Sequence, residues 1–351
     1  MSAAFLTTVV GSMPRPQFVR DLLRPGTREA VGEAEFTRRL DAAVAYIVAM
    51  QEAAGLDVVS DGEWRRLSYI GVIADICDGF KVTYRGDQPW TTVVRPIEIR
   101  DPGLVAREAV FVRDHSRAEP KVALPSPYLL GQRMWDEQAS AAAYPTRQAF
   151  MRALVPVLRG ELQAVRAAGI RRVQFDDPHL CLFVDERVRR QFDDPGAEMD
   201  LCVDLLNQIL EGFDDLSTAI HLCRRNKARQ GWVGEGGYDP ILGHLRRLWV
   251  KEYMLEFSIP VAGDYAVLGD LPEDRRIGLG CVDCRGERVD TPEEIVARVE
   301  KALQYVSPNR LSLHPDCGFA PGSSADIPID EAYRKLCHEV EAARILRGRH
   351  Q

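Results

Sequence analysis

The sequence lacks a long uninterrupted apolar run. Its longest apolar stretch covers residues 42–50, which is well short of the roughly 20 residues needed to cross a bilayer. The first ten residues also lack the basic start of a secretory signal, and Gly11 and Pro14 interrupt the chain soon afterwards. We therefore expect a cytoplasmic protein with no membrane partner.

Neither basic charge nor cysteine is in excess. The 45 Lys and Arg residues are outnumbered by 52 Asp and Glu residues, for a net charge of −7, so no global positive field is available to hold nucleic acid. Eight cysteines in 351 residues are too few for a disulfide framework, and in a reducing compartment each must be a core thiol, a catalyst or a metal ligand. Because the sequence has no Ser/Gly linker and no short repeat, one domain is favoured over two.

Short β-branched runs alternate with amphipathic helical patterns along the whole chain. This rhythm is typical of βα units around a parallel sheet. The helical patterns are clearest at 146–168, 291–306 and 330–346, and the basic end at 344–351 is expected to fray. Eight strands are predicted, at 7–10, 57–60, 121–124, 172–175, 218–222, 253–257, 276–280 and 310–313. Eight such units predict an α/β fold, a single (β/α)8 TIM barrel.

The chain is longer than a minimal barrel, which needs about 250 residues. Part of the excess lies at about 80–115, where short alternating runs are separated by Gly86, Asp87 and Pro96. Turn residues between alternating runs are typical of a hairpin. We therefore predict a β-hairpin insertion after the second βα unit.

Reactive side chains follow the predicted strands. The chemistry of such barrels occupies the carboxyl ends of the strands, and these positions carry Gly11 and Ser12, Asp61 and Glu63, Asp176, His221 and Cys223, Glu256, Asp283 and Cys284, and Asp316 and Cys317. Glu63 and Asp176 come from different strands and could clamp an ammonium group; the alternative is that each is a solvated loop acid or a helix cap.

His221 and Cys223 are spaced to lie on one face of a strand. Both would then face the barrel mouth, where Glu256 and Cys317 arrive from other strands. An imidazole, two thiolates and a carboxylate suit a four-coordinate Zn²⁺ ion, and such an ion would deprotonate an incoming substrate thiol at neutral pH. The alternative for an isolated His-x-Cys pair is a buried core histidine and thiol.

Two further motifs predict no function. Cys281 and Cys284 form a CxxC pair that could be redox-active or supply ligands, but they lack the thioredoxin-like strand and helix setting, which favours ordinary buried thiols. The glycine-rich segment 234–238 matches neither the dinucleotide fingerprint nor a P-loop. We therefore predict no nucleotide cofactor.

Six segments together resemble the cobalamin-independent methionine synthase family in order and spacing. They are VVGSMP at 9–14, DGE at 61–63, VQFDDP at 173–178, HxCxxN at 221–226, LE at 255–256 and PDCGF at 315–319. The resemblance spans nearly the whole chain and implies the short form, a single catalytic barrel over 1–351 with an insertion at about 80–115.

The resemblance implies that a zinc-bound thiolate, typically homocysteine, attacks a methyl group on a donor. The residues that match the zinc ligands are His221, Cys223, Glu256 and Cys317. Gly11 and Ser12 match the turn that holds the amino-acid carboxylate, and Glu63 and Asp176 match the acids that hold its ammonium group. Asp283 and Arg285 stand at the catalytic positions.

The departures from the family concern the donor. Arg285 stands where the long enzymes have a catalytic histidine, and arginine cannot act as a general acid at neutral pH. Arg133 stands near the place of a folate-stacking tryptophan, with Trp135 displaced, and Arg225 stands where short relatives usually have glycine. These differences favour a sulfonium, a methylated corrinoid or another electrophile over methyl-tetrahydrofolate.

We thus expect a zinc-dependent methyltransferase of methionine-biosynthesis type, with a small-molecule thiol and a methyl or alkyl donor as partners. A homo-oligomer is an open alternative. Two other functions are open: a zinc-dependent thiol transferase or lyase that acts on epoxides, and a non-catalytic amino-acid-binding barrel with structural zinc. A structural site is closed by four protein ligands, whereas a catalytic site leaves a position for substrate.

Overall fold

Eight parallel strands form the centre of the fold. The structure is a computed structural model that describes residues 4–85, 88–320, 322 and 326–350. The ten described strands are β1 (Leu6–Thr7), β2 (Val58–Val59), β3 (Cys77–Arg85), β4 (Gln88–Ile99), β5 (Glu119–Pro125), β6 (Arg172–Asp176), β7 (Ser217–Leu222), β8 (Glu252–Glu256), β9 (Arg276–Val282) and β10 (Leu311–Pro315). The large sheet has the order β1-β10-β9-β8-β7-β6-β5-β2. A parallel bridge between Thr8 and Val58 joins its two ends, which confirms the predicted barrel.

Helices surround this sheet. They are α1 (Gln17–Leu22), α2 (Thr27–Val31), α3 (Glu33–Ala54), α4 (Val72–Ile76), α5 (Leu104–Asp114), α6 (Pro127–Met134), α7 (Glu137–Ser140), α8 (Arg147–Ala167), α9 (Pro178–Cys181), α10 (Glu186–Arg189), α11 (Pro195–Leu210), α12 (Leu242–Leu245), α13 (Pro292–Ala302) and α14 (Ile329–Arg349). Within the described residues, no helix combines the length and the apolar character that a membrane crossing requires.

Local sequence signals explain where several helices begin. The Thr146 side chain caps α8, and Thr291 with Glu294 forms a reciprocal capping box at the start of α13. The expected fraying from residue 344 was wrong, because α14 continues to Arg349. Arg347 holds this end by donating hydrogen bonds to the Ala4 and Phe5 carbonyl oxygens, just before β1, and to Asp57.

The hairpin insertion is also confirmed. β3 and β4 pair antiparallel, and the hairpin begins slightly earlier than predicted, at Cys77. The second half of the predicted insertion is not hairpin but helix α5, which buries Val105, Ala109 and Val112. The predicted turn at Gly86 and Asp87 lies outside the described residues.

A polar chain runs through the barrel interior. The Lys121 ammonium group donates to the Val9 carbonyl and, at 2.8 Å, to Gln174 Oε1. Gln174 Nε2 donates in turn to Asp176 Oδ1 at 2.6 Å. Burial lowers the pKa of Lys121 to about 8. This series of hydrogen-bonded side chains ends at the carboxyl end of β6 and therefore connects the barrel centre to the site described next.

Candidate active site

A pocket opens at the carboxyl ends of the barrel strands. It has a volume of about 160 Å³ and is lined from the loops after β1, β2, β6, β7 and β10, with further contributions from α6 and the β-hairpin. Ligand sites of parallel barrels lie at this end because the strand-following loops converge there. The predicted residues Ser12, Glu63, Asp176, His221 and Cys223 all line it.

Three of the four predicted metal ligands meet in this pocket. His221 lies on β7, Cys223 directly follows that strand, and Cys317 follows β10. Their ligand atoms all lie within 4.8 Å of one another, and all three residues are buried. A register irregularity between His314 and Pro315 on β10 precedes Cys317. One nitrogen and two sulfur donors in a buried position suit zinc.

A carboxylate orients the His221 ring. His221 Nδ1 lies 3.0 Å from Asp176 Oδ1, and Nε2 lies 3.3 Å from the Asp316 carbonyl oxygen. Burial by itself lowers the pKa of His221, but the neighbouring Cys223 and Asp176 outweigh it and raise this pKa to about 9. A carboxylate behind an imidazole is the arrangement that fixes a metal-binding histidine.

The two cysteine thiols are coupled. A hydrogen bond between them lowers the pKa of Cys223, with help from the charge of His221, and raises the pKa of Cys317. The Arg225 backbone N–H also donates to Cys223. The pair can therefore hold one thiolate readily, and a bound cation would favour the second.

Glu256, the fourth predicted ligand, is not brought into this group. Its Oε2 accepts from the Arg224 backbone N–H at 2.7 Å and from the Arg224 guanidinium at 3.3 Å, while Oε1 accepts from Arg285. Glu256 and Arg224 are completely buried. The carboxylate therefore lies in an ion-pair network beside the three gathered ligands.

Asp283 and Arg285 are placed away from the pocket lining. The Asp283 carboxylate accepts from the backbone N–H groups of Arg285 and Gly286, at 2.8 and 3.0 Å, and so caps a turn. Arg285 is 4% exposed and directs its guanidinium at Glu256 and, at 3.4 Å, at Asp316. Both residues therefore contact neighbouring protein groups and do not face the pocket space.

Glycine makes room for the predicted amino-acid pocket. A Cβ atom on Gly11 would lie 2.5 Å from Glu63 Oε1, and one on Gly318 would lie 2.1 Å from Ser12 Oγ. Glu63 itself has a φ of +56°, a backbone conformation that side chains adopt at a cost. Burial raises the pKa of Glu63 to about 7, although the Arg66 charge opposes this. A buried acid beside a polar loop can receive a cationic group.

Several pocket residues were missed from the sequence, among them Arg15, Tyr69 and Trp90. Arg15 lines the pocket and donates to the Glu63 and Arg66 carbonyl oxygens at 2.8 and 2.9 Å; its position directly after the VGSMP motif was an available signal. Tyr69 and Trp90 also line the pocket. No local pattern marks Trp90, because only the folding of the hairpin over the barrel brings it there.

The sequence is similar to that of known proteins. The sequence matches the family described as "Cobalamin-independent synthase, Catalytic domain" over residues 5–345. The chain belongs to this family. It is 26% identical over 349 residues to a methionine synthase of Pyrococcus abyssi, covering 97% of this chain and 92% of that protein. It is also 26% identical over 354 residues to a methionine synthase of Sulfurisphaera tokodaii, with the same coverage.

Solved structures support the fold of this cobalamin-independent synthase domain. A B12-independent methionine synthase from Shewanella sp. W3-18-1, in complex with selenomethionine, superposes with a TM-score of 0.79 at 23% identity, covering 99% of each chain. A B12-independent methionine synthase from Listeria monocytogenes, described as putative in its source, gives 0.74 at 23% identity and the same coverage. Both are therefore neighbours in fold.

Proposed function

We propose that the protein is a zinc-dependent methyltransferase that activates the thiol of homocysteine, or of a similar amino acid, for attack on a methyl donor. The observation that carries this proposal is the buried His221, Cys223 and Cys317 group, whose ligand atoms lie within 4.8 Å of one another in a pocket that also contains Glu63. Membership of the family and the naming of its relatives as methionine synthases support the same chemistry.

The three gathered residues would hold the zinc ion. When bound, zinc lowers the pKa of a thiol ligand, so that a substrate thiol can react as its thiolate at neutral pH. We propose Glu256 as the fourth ligand, which requires its Oε1 to exchange Arg285 for the metal. Asp176 would keep the His221 ring in place through the hydrogen bond at Nδ1.

The chain's own residues would position the amino acid. Glu63 and Asp176 line one pocket and both carry carboxyl groups, so they suit the substrate ammonium group. Gly11 and Ser12 would receive the substrate carboxylate on the facing loop. In this placement the thiol points toward the zinc ligands, and the donor approaches from the open mouth of the pocket.

The methyl transfer is a substitution at the methyl carbon. The substrate sulfur forms a bond to the methyl carbon, the bond from that carbon to its leaving group breaks, and the leaving group departs with the bonding electrons. The thiol proton passes to water at the open mouth of the pocket when the thiolate forms. In the alternative reaction with an epoxide, the sulfur attacks a ring carbon and the ring oxygen takes the electrons and then a proton.

The decisive experiment combines zinc-loaded protein, homocysteine and a panel of methyl donors. Mass spectrometry should detect methionine with at least one donor, and Cys317→Ser should produce none above the uncatalysed rate. X-ray absorption at zinc should gain a sulfur neighbour when homocysteine is added. An unchanged zinc environment together with no product would favour a structural zinc and would overturn the proposal.

A further inference from the structure

Several buried or half-buried arginines outside the pocket lining are paired with carboxylates. The ion pairs are Arg66 with Glu108, Arg147 with Glu198, Arg224 with Glu256, and Arg285 with Glu256 and Asp316. Arg133 and Arg225 are different. Both line the pocket and are half-buried, yet across residues 4–85, 88–320, 322 and 326–350 neither guanidinium has an ion pair or a hydrogen bond.

Arg225 keeps its side chain at a backbone position that favours glycine. Its φ is +57°, within the left-handed region where a Cβ atom is strained. Glycine at this position would relieve the strain. The arginine instead adds a permanent positive charge to the pocket wall, two residues after Cys223.

Arg133 faces the same space from α6. Its guanidinium carbon lies 5.5 Å from the centre of the Trp90 ring. Burial lowers the pKa of Arg133, and the charge of Arg225 lowers it further against the opposing effect of Tyr69. The two guanidinium groups therefore repel each other in a partly desolvated pocket, an arrangement that an anion would stabilise.

We propose that Arg133 and Arg225 bind an oxyanionic group, a carboxylate, sulfonate or phosphate, on the methyl or alkyl donor. That the protein uses such a donor substrate rests on the proposed function. The acceptor's ammonium group is matched by Glu63 and Asp176, and its carboxylate by the Gly11 and Ser12 loop, so the two arginines are available for the second substrate. Guanidinium groups suit these anions because their planar N–H donors match paired oxygens.

Tyr69 supports this anion site. Burial raises the pKa of Tyr69, although Arg133 and Arg225 oppose the rise. Its hydroxyl therefore keeps its proton and can donate a hydrogen bond. Tyr69 lines the same pocket as the arginine pair and Cys223.

Two alkylating probes of matched shape test the proposal. Iodoacetate and iodoacetamide both transfer a carbon to sulfur and release iodide with its bonding electrons, but only iodoacetate is an anion. Initial rates of homocysteine alkylation are read by mass spectrometry, divided by the uncatalysed rate with each probe, and expressed as the iodoacetate to iodoacetamide ratio. Intact-protein mass controls for alkylation of the protein's own cysteines.

The parent ratio should exceed one. Arg133→Gln and Arg225→Gly should each lower it by about tenfold to a hundredfold, the effect of losing one charge-assisted hydrogen bond. Arg225→Lys should retain most of it, and the exposed control Arg288→Gln should retain all of it. Zinc content and the KM for homocysteine should stay unchanged in every variant.

Three results would overturn the inference. The first is a parent ratio of one or less, the second is an equal ratio in parent and arginine variants, and the third is a raised homocysteine KM, which would assign the arginines to the acceptor. If the parent alkylates homocysteine with neither probe, the proposed function fails instead. Calorimetry with methanesulfonate and inorganic phosphate then decides the anion site alone: about tenfold weaker binding by Arg225→Gly supports it, and equal or absent binding refutes it.

Discussion

The two sides of the pocket differ in how their charges are matched. On the thiol side, His221 is hydrogen-bonded to Asp176, and Glu256 is held by Arg224 and Arg285. On the donor side, Arg133 and Arg225 have no such partner within the described residues. We propose that the thiol side is organised before substrate binds, which is the arrangement that favours catalysis, and that the donor side is completed by its ligand.

The two sides of the pocket also differ in how closely their residues match the family pattern. The thiol side is built from the segments that resemble the family, including HxCxxN and PDCGF. The donor side carries the residues by which the sequence departs from it. If the proposed roles hold, activation of the thiol and selection of the electrophile belong to different parts of one pocket and can be disrupted separately.

Loss of a zinc ligand should disrupt the thiol side most severely. Cys317→Ser and Cys223→Ser should each weaken zinc binding by more than about a hundredfold, because even residues that only support a ligand affect metal affinity by up to that factor. Metal analysis after dialysis measures this. The matched control is Cys284→Ser, a buried thiol whose pKa is raised by burial to about 12 and which should leave zinc bound. Full zinc retention in both ligand variants would contradict the metal site.

Glu256→Gln should damage both the metal site and stability. Removing this charge leaves Arg224 without its buried ionic partner and Arg285 paired with Asp316 alone, and breaking a buried ion pair typically costs about 3 to 5 kcal/mol. Denaturant unfolding and zinc analysis read the two effects separately. The matched control is Glu331→Gln, since Glu331 is a buried carboxylate paired with Arg229 and Lys335 outside the pocket lining. Destabilisation with zinc fully retained would remove Glu256 from the ligand set.

Glu63→Gln should weaken binding of the acceptor amino acid without releasing zinc. The amide keeps the shape of the side chain but loses one charge-assisted hydrogen bond, an effect of about 1.5 to 3 kcal/mol or roughly tenfold to a hundredfold in affinity. Calorimetry with homocysteine measures it, with the exposed Glu287→Gln as control. Unchanged homocysteine binding would show that the ammonium group lies elsewhere. Asp176→Asn should differ by also loosening zinc, because Asp176 holds His221.

Glu63 should also make stability depend on pH. Its folded pKa of about 7 is raised from the ordinary value of 4.5, chiefly by burial. A raised carboxyl pKa stabilises the fold fully below pH 4.5, and this contribution is lost as pH rises through about 7. Glu63→Gln should therefore match the parent near pH 4.5 and be more stable at pH 8 by up to about 3 kcal/mol. A constant difference across this range would contradict the shift.

Much of the barrel could be predicted because its signals are local. All eight predicted strands are present, shifted at their ends by a few residues, since runs of buried β-branched and aliphatic residues suit a parallel sheet covered on both faces. The residues at and just after a strand end are also a local property of the sequence, and they indicated His221, Cys223 and Cys317. The capping residues Thr146 and Thr291 are local in the same way.

The sequence by itself thus determined the strand rhythm, the closed barrel and the chemical identity of the side chains at its mouth. Only the tertiary structure decided how those side chains pair: that Glu256 faces two arginines, that Arg285 turns away from the pocket, and that Trp90 arrives on a hairpin. The physical reason is that pairing in a buried site depends on competition among charges from distant segments, and burial strengthens every such interaction. No local pattern records the outcome of that competition.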